Sequence, residues 1–211
     1  MGRRSDHSRN ELEAMILREG GQLMAESGFS HFSAREVAKR IGYSVGTVVT
    51  LFSGVDGLVV AINAETFRLW AGHLERRLED AAGPERIARL VEAYFDFASA
   101  NPNRWAAIYE HRLPPGAAMP DALACARAAL TDIVTREVAA ILPPDRRDGG
   151  DSDGDKARDG AARLSRSLIA TVHGHCVFAL NGSFALLGED DPLALASARV
   201  TESLRAMGAM V

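Results

Sequence analysis

At 211 residues, 47% hydrophobic and 25% charged, the chain has the length for one good core plus a small satellite domain. A net charge of −4 argues against broad, non-specific nucleic-acid coating, and two distant cysteines without a CxxC argue against a zinc module or a disulfide framework. The opening MGRRSDHSRNELEA lacks the apolar core of a signal peptide. The most apolar stretch, Leu168 to Leu187, is interrupted by two His, two Gly and an Asn, so no membrane partner is expected and the cytoplasm is.

Along the chain, Arg3, Arg4 and Arg9 can form a short basic arm, and a helix starts at Ser8 with Glu11 three residues on. Ser33 and Glu36 have the spacing of a capping box, with Phe32 and Val37 as its hydrophobic staple. The helix that follows runs to Ile41 and buries Val37, Ala38 and Ile41. Gly42 ends it, and Ser44 caps a second helix from Val45 to about Leu51. Three helix starts, at Ser8, Ser33 and Ser53, carry an acid at the third position. At Ser44 that place belongs to Thr47, and no Asp or Glu occurs between Arg40 and Asp56. An acid-free second helix that begins with small, hydroxyl-bearing residues suits insertion into a DNA major groove.

The body reads as a series of helices. One runs from about Asp56 to Ala81, with Phe67, Trp70, Leu74 and Leu78 on one face, and Gly83-Pro84 stops it. The next ends at Ala100, and shorter and longer ones follow at Arg104 to Arg112 and Ala122 to Leu142. Asp145 to Asp159 is charged, Gly-rich and expected to be a surface loop. Its Asp151, Asp153 and Asp155 alternate like calcium ligands, but Lys156 and Ala162 stand where such a loop needs Gly and Glu. Ala162 to about Leu187 is apolar on two faces, one carrying Ile169, Cys176, Leu180 and Phe184, so it is expected to pack against a partner as well as its own core. Leu193 to Met207 forms the last helix. His173 and His175, two apart on a helix, point to different sides, and His173 with Cys176 can converge but makes only two ligands, so no metal and no cofactor is expected. With no alternating apolar run, the fold class is all-α.

Arg9 to Leu58 also resembles the DNA-binding region of the tetracycline-repressor (TetR) family. The resemblance rests on Ile16-Leu17, Gly28-Phe29, Val37-Ala38, Ile41-Gly42-Tyr43-Ser44, Gly46-Thr47-Val48, Phe52-Ser53 and Asp56-Gly57-Leu58. It implies a three-helix DNA-binding head with a helix-turn-helix, placed at residues 1–57, and a larger helical ligand-binding and dimerisation body at 58–211. The implied protein is a ligand-responsive transcriptional repressor. It would bind double-stranded operator DNA as a homodimer on a pseudo-palindrome, and a small apolar effector would release it. The expected DNA-facing set is Arg35, Lys39, Tyr43, Ser44, Val45, Gly46, Thr47 and Thr50, with Lys39 and Tyr43 as phosphate contacts. Tyr94, Phe97, Trp105, Tyr109 and Met119 are candidates for an apolar effector pocket, and equally for plain core. Two positions depart from the family: Val49 stands where Tyr is usual and Val55 where Lys is usual, both phosphate contacts there. A helical ligand-binder that has lost DNA binding and an all-helical enzyme are the alternatives. No nucleophile elbow, HExxH or phosphate loop supports the enzyme.

Overall fold

The computed structural model describes residues 7–144 and 160–211. The Arg3 and Arg4 part of the basic arm and the 145–159 segment, with its aspartate triplet, lie outside the described residues. Every regular element among the described residues is helical. They are α1 (Arg9–Ser27), a 3₁₀ turn (Phe29–His31), α2 (Ala34–Ile41), α3 (Val45–Leu51), α4 (Val55–Leu78), α5 (Glu85–Ala100) and α6 (Pro102–Glu110). After these come α7 (Asp121–Ile141), α8 (Gly160–Leu180), α9 (Ser183–Leu186) and α10 (Pro192–Ala206).

The described residues fall into two compact units. One comprises those up to Arg68 together with Asn101–Arg127; the other comprises those of Leu69–Ala100 and Ala128–Val211. In the first, α1 packs on α2, on α6 and on the 3₁₀ turn, and α2 packs on α3. Ile16, Met24, Val37, Val48, Leu58 and Ile62 are fully buried at its centre. In the second, α10 lies along α8 and both touch α5. Trp70, Leu78, Val138 and Leu204 are among its most buried side chains.

Serine caps set the starts of α1, α2 and α3. Ser8 and Glu11 close a complete capping box: the Ser8 hydroxyl accepts from the Glu11 N–H at 3.3 Å, and Glu11 Oε2 accepts from the Ser8 N–H at 2.7 Å. Only half of the box expected at Ser33 forms. Its hydroxyl accepts from the Glu36 N–H at 3.4 Å, while the Glu36 carboxylate turns to Lys39 at 3.6 Å and Arg40 at 3.7 Å. Two nearby cations hold that carboxylate more strongly than one backbone N–H.

The helix expected from Ala162 to Leu187 is two helices. Asn181 and Gly182 interrupt it, with Gly182 in the left-handed region at φ 77°, a conformation that glycine adopts at no steric cost. The Asn181 side chain then accepts from the Ser183 N–H at 2.9 Å and starts α9. The buried residues of α8 are Ala161, Ser165, Leu168, Val172 and Cys176, a single stripe that cuts across the two expected from the sequence.

Candidate functional site

α2 and α3 form the helix-turn-helix, joined through Gly42, Tyr43 and Ser44. Gly42 ends α2 and its N–H returns to the Ala38 and Lys39 carbonyls. The Ser44 hydroxyl accepts from the Thr47 N–H at 3.1 Å, and the two hydroxyls are themselves 2.9 Å apart. Val48 is the buried pin of α3. Ser44, Val45, Gly46 and Thr50 are exposed, and Thr47 is half-buried. The chain bends by 66° between α3 and α4. Gly57 makes this turn possible, because a Cβ there would overlap the Phe52 carbonyl oxygen.

The charges around the turn are partly committed. Arg40 reaches Glu26 at 2.6 Å, and that bond holds the Glu26 carboxyl below its ordinary range. Arg35 and Lys39 are exposed. Tyr43 packs against the head core with its ring, and its hydroxyl shares a 2.9 Å hydrogen bond with His7 Nδ1. His7 lies 36 residues from Tyr43, and nothing in the sequence signals the pairing. At the start of α4, His111 Nε2 approaches Asp56 at 3.4 Å.

In the second unit Trp70 stacks on Phe97 with ring centroids 5.1 Å apart and meets Tyr94 edge-on at 4.8 Å. The Tyr94 hydroxyl and His173 Nδ1 share a hydrogen bond of 2.9 Å. Burial pushes the His173 pKa below its ordinary value, so the ring is neutral at pH 7. Beside this cluster lies a cavity walled by α5, α7, α8 and α10. His175 turns elsewhere: its Nδ1 donates to the Thr171 carbonyl at 2.8 Å. Burial pushes the Cys176 thiol up to about 12, which leaves it inert at neutral pH. Among the described residues no group of three or more His, Cys, Asp or Glu side chains is placed to hold a metal.

Two family models match the chain. Residues 16–62 fit the bacterial regulatory proteins of the tetR family, and residues 87–204 fit the tetracyclin repressor-like C-terminal domain. The chain belongs to the TetR family of transcription regulators. The HTH-type transcriptional regulator Rv1816 of Mycobacterium tuberculosis is 26% identical over 145 residues. That match takes in 67% of this chain but only 58% of the relative. A protein of unknown function from Rhodococcus sp. RHA1 shares the fold at a TM-score of 0.71 and 23% identity, covering 98% of this chain and 99% of that one. A tetR-family transcriptional regulator from Streptomyces coelicolor does so at 0.63 and 20%, covering 98% and 82%.

In this TetR-family regulator the expected DNA-facing residues all lie on α2, α3 and the turn between them. Val49 is half-buried against the head core, whereas Val55 is 45% exposed in the first turn of α4. The pocket candidates divide between the two units. Tyr94 and Phe97 are buried together with Trp70 in the second. In the first, buried Trp105 meets the more exposed Tyr109 edge-on at 5.4 Å, and Met119 lies exposed ahead of α7. Of the candidate dimer residues, Cys176 is buried within its own unit, Ile169 lines the cavity, and Leu180 is 40% exposed. Phe184 is half-buried, with its ring against Phe178 and His175. No single helix among the described residues is long and apolar enough to cross a membrane.

Proposed function

We propose that the chain is a cytoplasmic, non-enzymatic repressor that reads a pseudo-palindromic operator as a homodimer and is released by a small apolar effector. On the nucleoid, residues 1–57 read DNA, and 58–211 bind effector and partner. The observation that carries this reading is the acid-free, outward-facing start of α3. Ser44, Val45, Gly46 and Thr50 are exposed there while Val48 anchors the helix from behind. Small neutral side chains admit a helix to the major groove, and Arg35, Lys39 and Tyr43 flank it as candidate phosphate contacts.

The test is a mobility-shift titration on the inverted repeat beside the chain's own gene, with half-sites about one turn, roughly 34 Å, apart or a multiple of it. Thr50 is the cleanest probe, because its hydroxyl is exposed whereas that of Thr47 is engaged with Ser44. Thr50→Ala is expected to weaken operator binding about three- to tenfold with an unchanged melting temperature. Equal binding by wild type and variant would remove α3 from base reading.

The exposed valine at the start of α4 supports a second expectation. Val55→Lys should tighten binding to operator and scrambled DNA alike and steepen the salt slope by about one unit per half-site, since phosphate contacts carry no sequence information. No gain is expected from Val49→Tyr, because Val49 is packed in the head. An unchanged salt slope for Val55→Lys would mean that α4 stays clear of the DNA backbone.

A further inference from the structure

The cavity of the second unit has a composition that narrows what it can hold. Leu90 and Tyr94 of α5, Val138 of α7, Leu168 and Val172 of α8 and Val200 of α10 face into it. It contains about 380 Å³ free of atoms, part of it open to solvent. Among its lining residues Tyr94 alone carries a polar side-chain atom, and none is charged. An ordered water needs about two to four polar partners, and this wall supplies too few, so hydrocarbon is the better occupant. The other lining side chains are branched aliphatics, which offer no flat face for stacking a planar ring.

The polar edge is equally specific. The Tyr94 hydroxyl is paired with His173, whose ring burial keeps neutral. A neutral hydroxyl–imidazole pair at the wall suits an uncharged oxygen. A carboxylate or ammonium would lose its hydration against this wall with no countercharge in return.

We propose that this cavity binds the alkyl portion of an uncharged amphiphile, a medium-chain alcohol or ketone, with its oxygen set at the Tyr94–His173 pair. Two of its walls are α8 and α10, so an occupant bears on the helix that carries Leu180 at its end. Its regulatory consequence rests on the repressor reading above; the site itself does not.

Calorimetry on the whole chain without DNA tests the site, with 1-decanol, decanoate and decylammonium as probes. Decanol is expected to bind saturably, one per chain, and the two charged probes at least about tenfold more weakly. Leu168→Trp, which fills the cavity, should abolish decanol binding while the helical circular-dichroism signal is kept. Should that variant not fold, nuclear Overhauser contacts from the decanol chain to the Val172 and Val200 methyls in the wild type decide instead. The site is refuted by any of four results: no saturable decanol heat, equal affinity for decanoate, undiminished binding by folded Leu168→Trp, or absence of those contacts. A mobility shift with decanol present separates the two claims. Bound decanol that leaves operator affinity unchanged would count against the effector reading while the site stands.

Discussion

Glu137→Ala is expected to lower the unfolding free energy by about 3 kcal/mol, a fall of about 6–12 °C in melting temperature for a chain of this size. The Glu137 carboxylate, 6% exposed, takes hydrogen bonds from Arg86 Nε at 2.6 Å, Arg86 Nη2 at 3.0 Å and Arg136 Nε at 2.9 Å. Arg86 also donates through Nη1 to the carbonyls of Leu78 at 2.7 Å and Ala81 at 2.9 Å, which closes the C-terminal end of α4. Arg136 in turn grips Glu75 with both terminal nitrogens at 3.1 Å. Deleting the carboxylate leaves Arg86 part-buried without its anion, and that orphaned charge is the larger part of the cost. Thermal unfolding followed by circular dichroism measures it.

The same carboxylate sets a pH dependence. Its hydrogen bonds to Arg86, more than those to Arg136, hold the Glu137 pKa below the usual carboxylate range against the opposing effect of burial. A carboxyl whose folded pKa is depressed contributes its full stability above the unfolded value of about 4.3. That contribution drains away as the pH falls through the lower, folded value. Wild type and Glu137→Ala should therefore differ by a constant amount from about pH 6 upward and converge in acid. A difference that grows toward low pH would mean that the carboxylate is not held by Arg86.

How much of this could be read from the sequence depends on how far apart the partners lie along the chain. Ser8, Ser33 and Ser44 act within three residues of their partners, and all three caps are present. The apolar stripe of α2 and the stops after α4 and α5 are equally local. The pairs that organise the units are not: Arg86 and Glu137 are 51 residues apart, Tyr94 and His173 are 79, and His7 and Tyr43 are 36. Each member reads as an ordinary surface or core residue until the chain has folded. The break at Asn181-Gly182 escaped for a different reason. Apolar residues continue on both sides of it, and periodicity counts hydrophobicity while a single left-handed glycine redirects the backbone. Val49 shows a third limit, since a substitution against a family pattern does not reveal whether the new side chain faces solvent or packs inward.

Leu180→Glu is expected to raise the dissociation constant of the proposed homodimer about a thousandfold or more. Exposed apolar side chains gather on the last turn of α8, on α9 and just after it: Phe178, Leu180, Leu186 and Leu187, with Leu186 90% exposed. Surface of this kind is costly to leave in water and suits the contact proposed for it. Leu180 is the better probe than Phe184, because the Phe184 ring already packs on Phe178 and His175 of its own chain, and removing it would disturb the protomer. Under two-fold symmetry each dimer carries the new charge twice. At about 2–3 kcal/mol per buried, unpaired carboxylate the total is about 4–6 kcal/mol, which corresponds to three or four orders of magnitude. The protomer should keep its helical signal, because Leu180 contributes little to its own core. Operator affinity should fall with the loss of the dimer, since a monomer reads only one half-site. Sedimentation equilibrium at micromolar concentration gives the answer. A monomeric wild type, or a variant that still dimerises as tightly, would move the partner surface away from the end of α8.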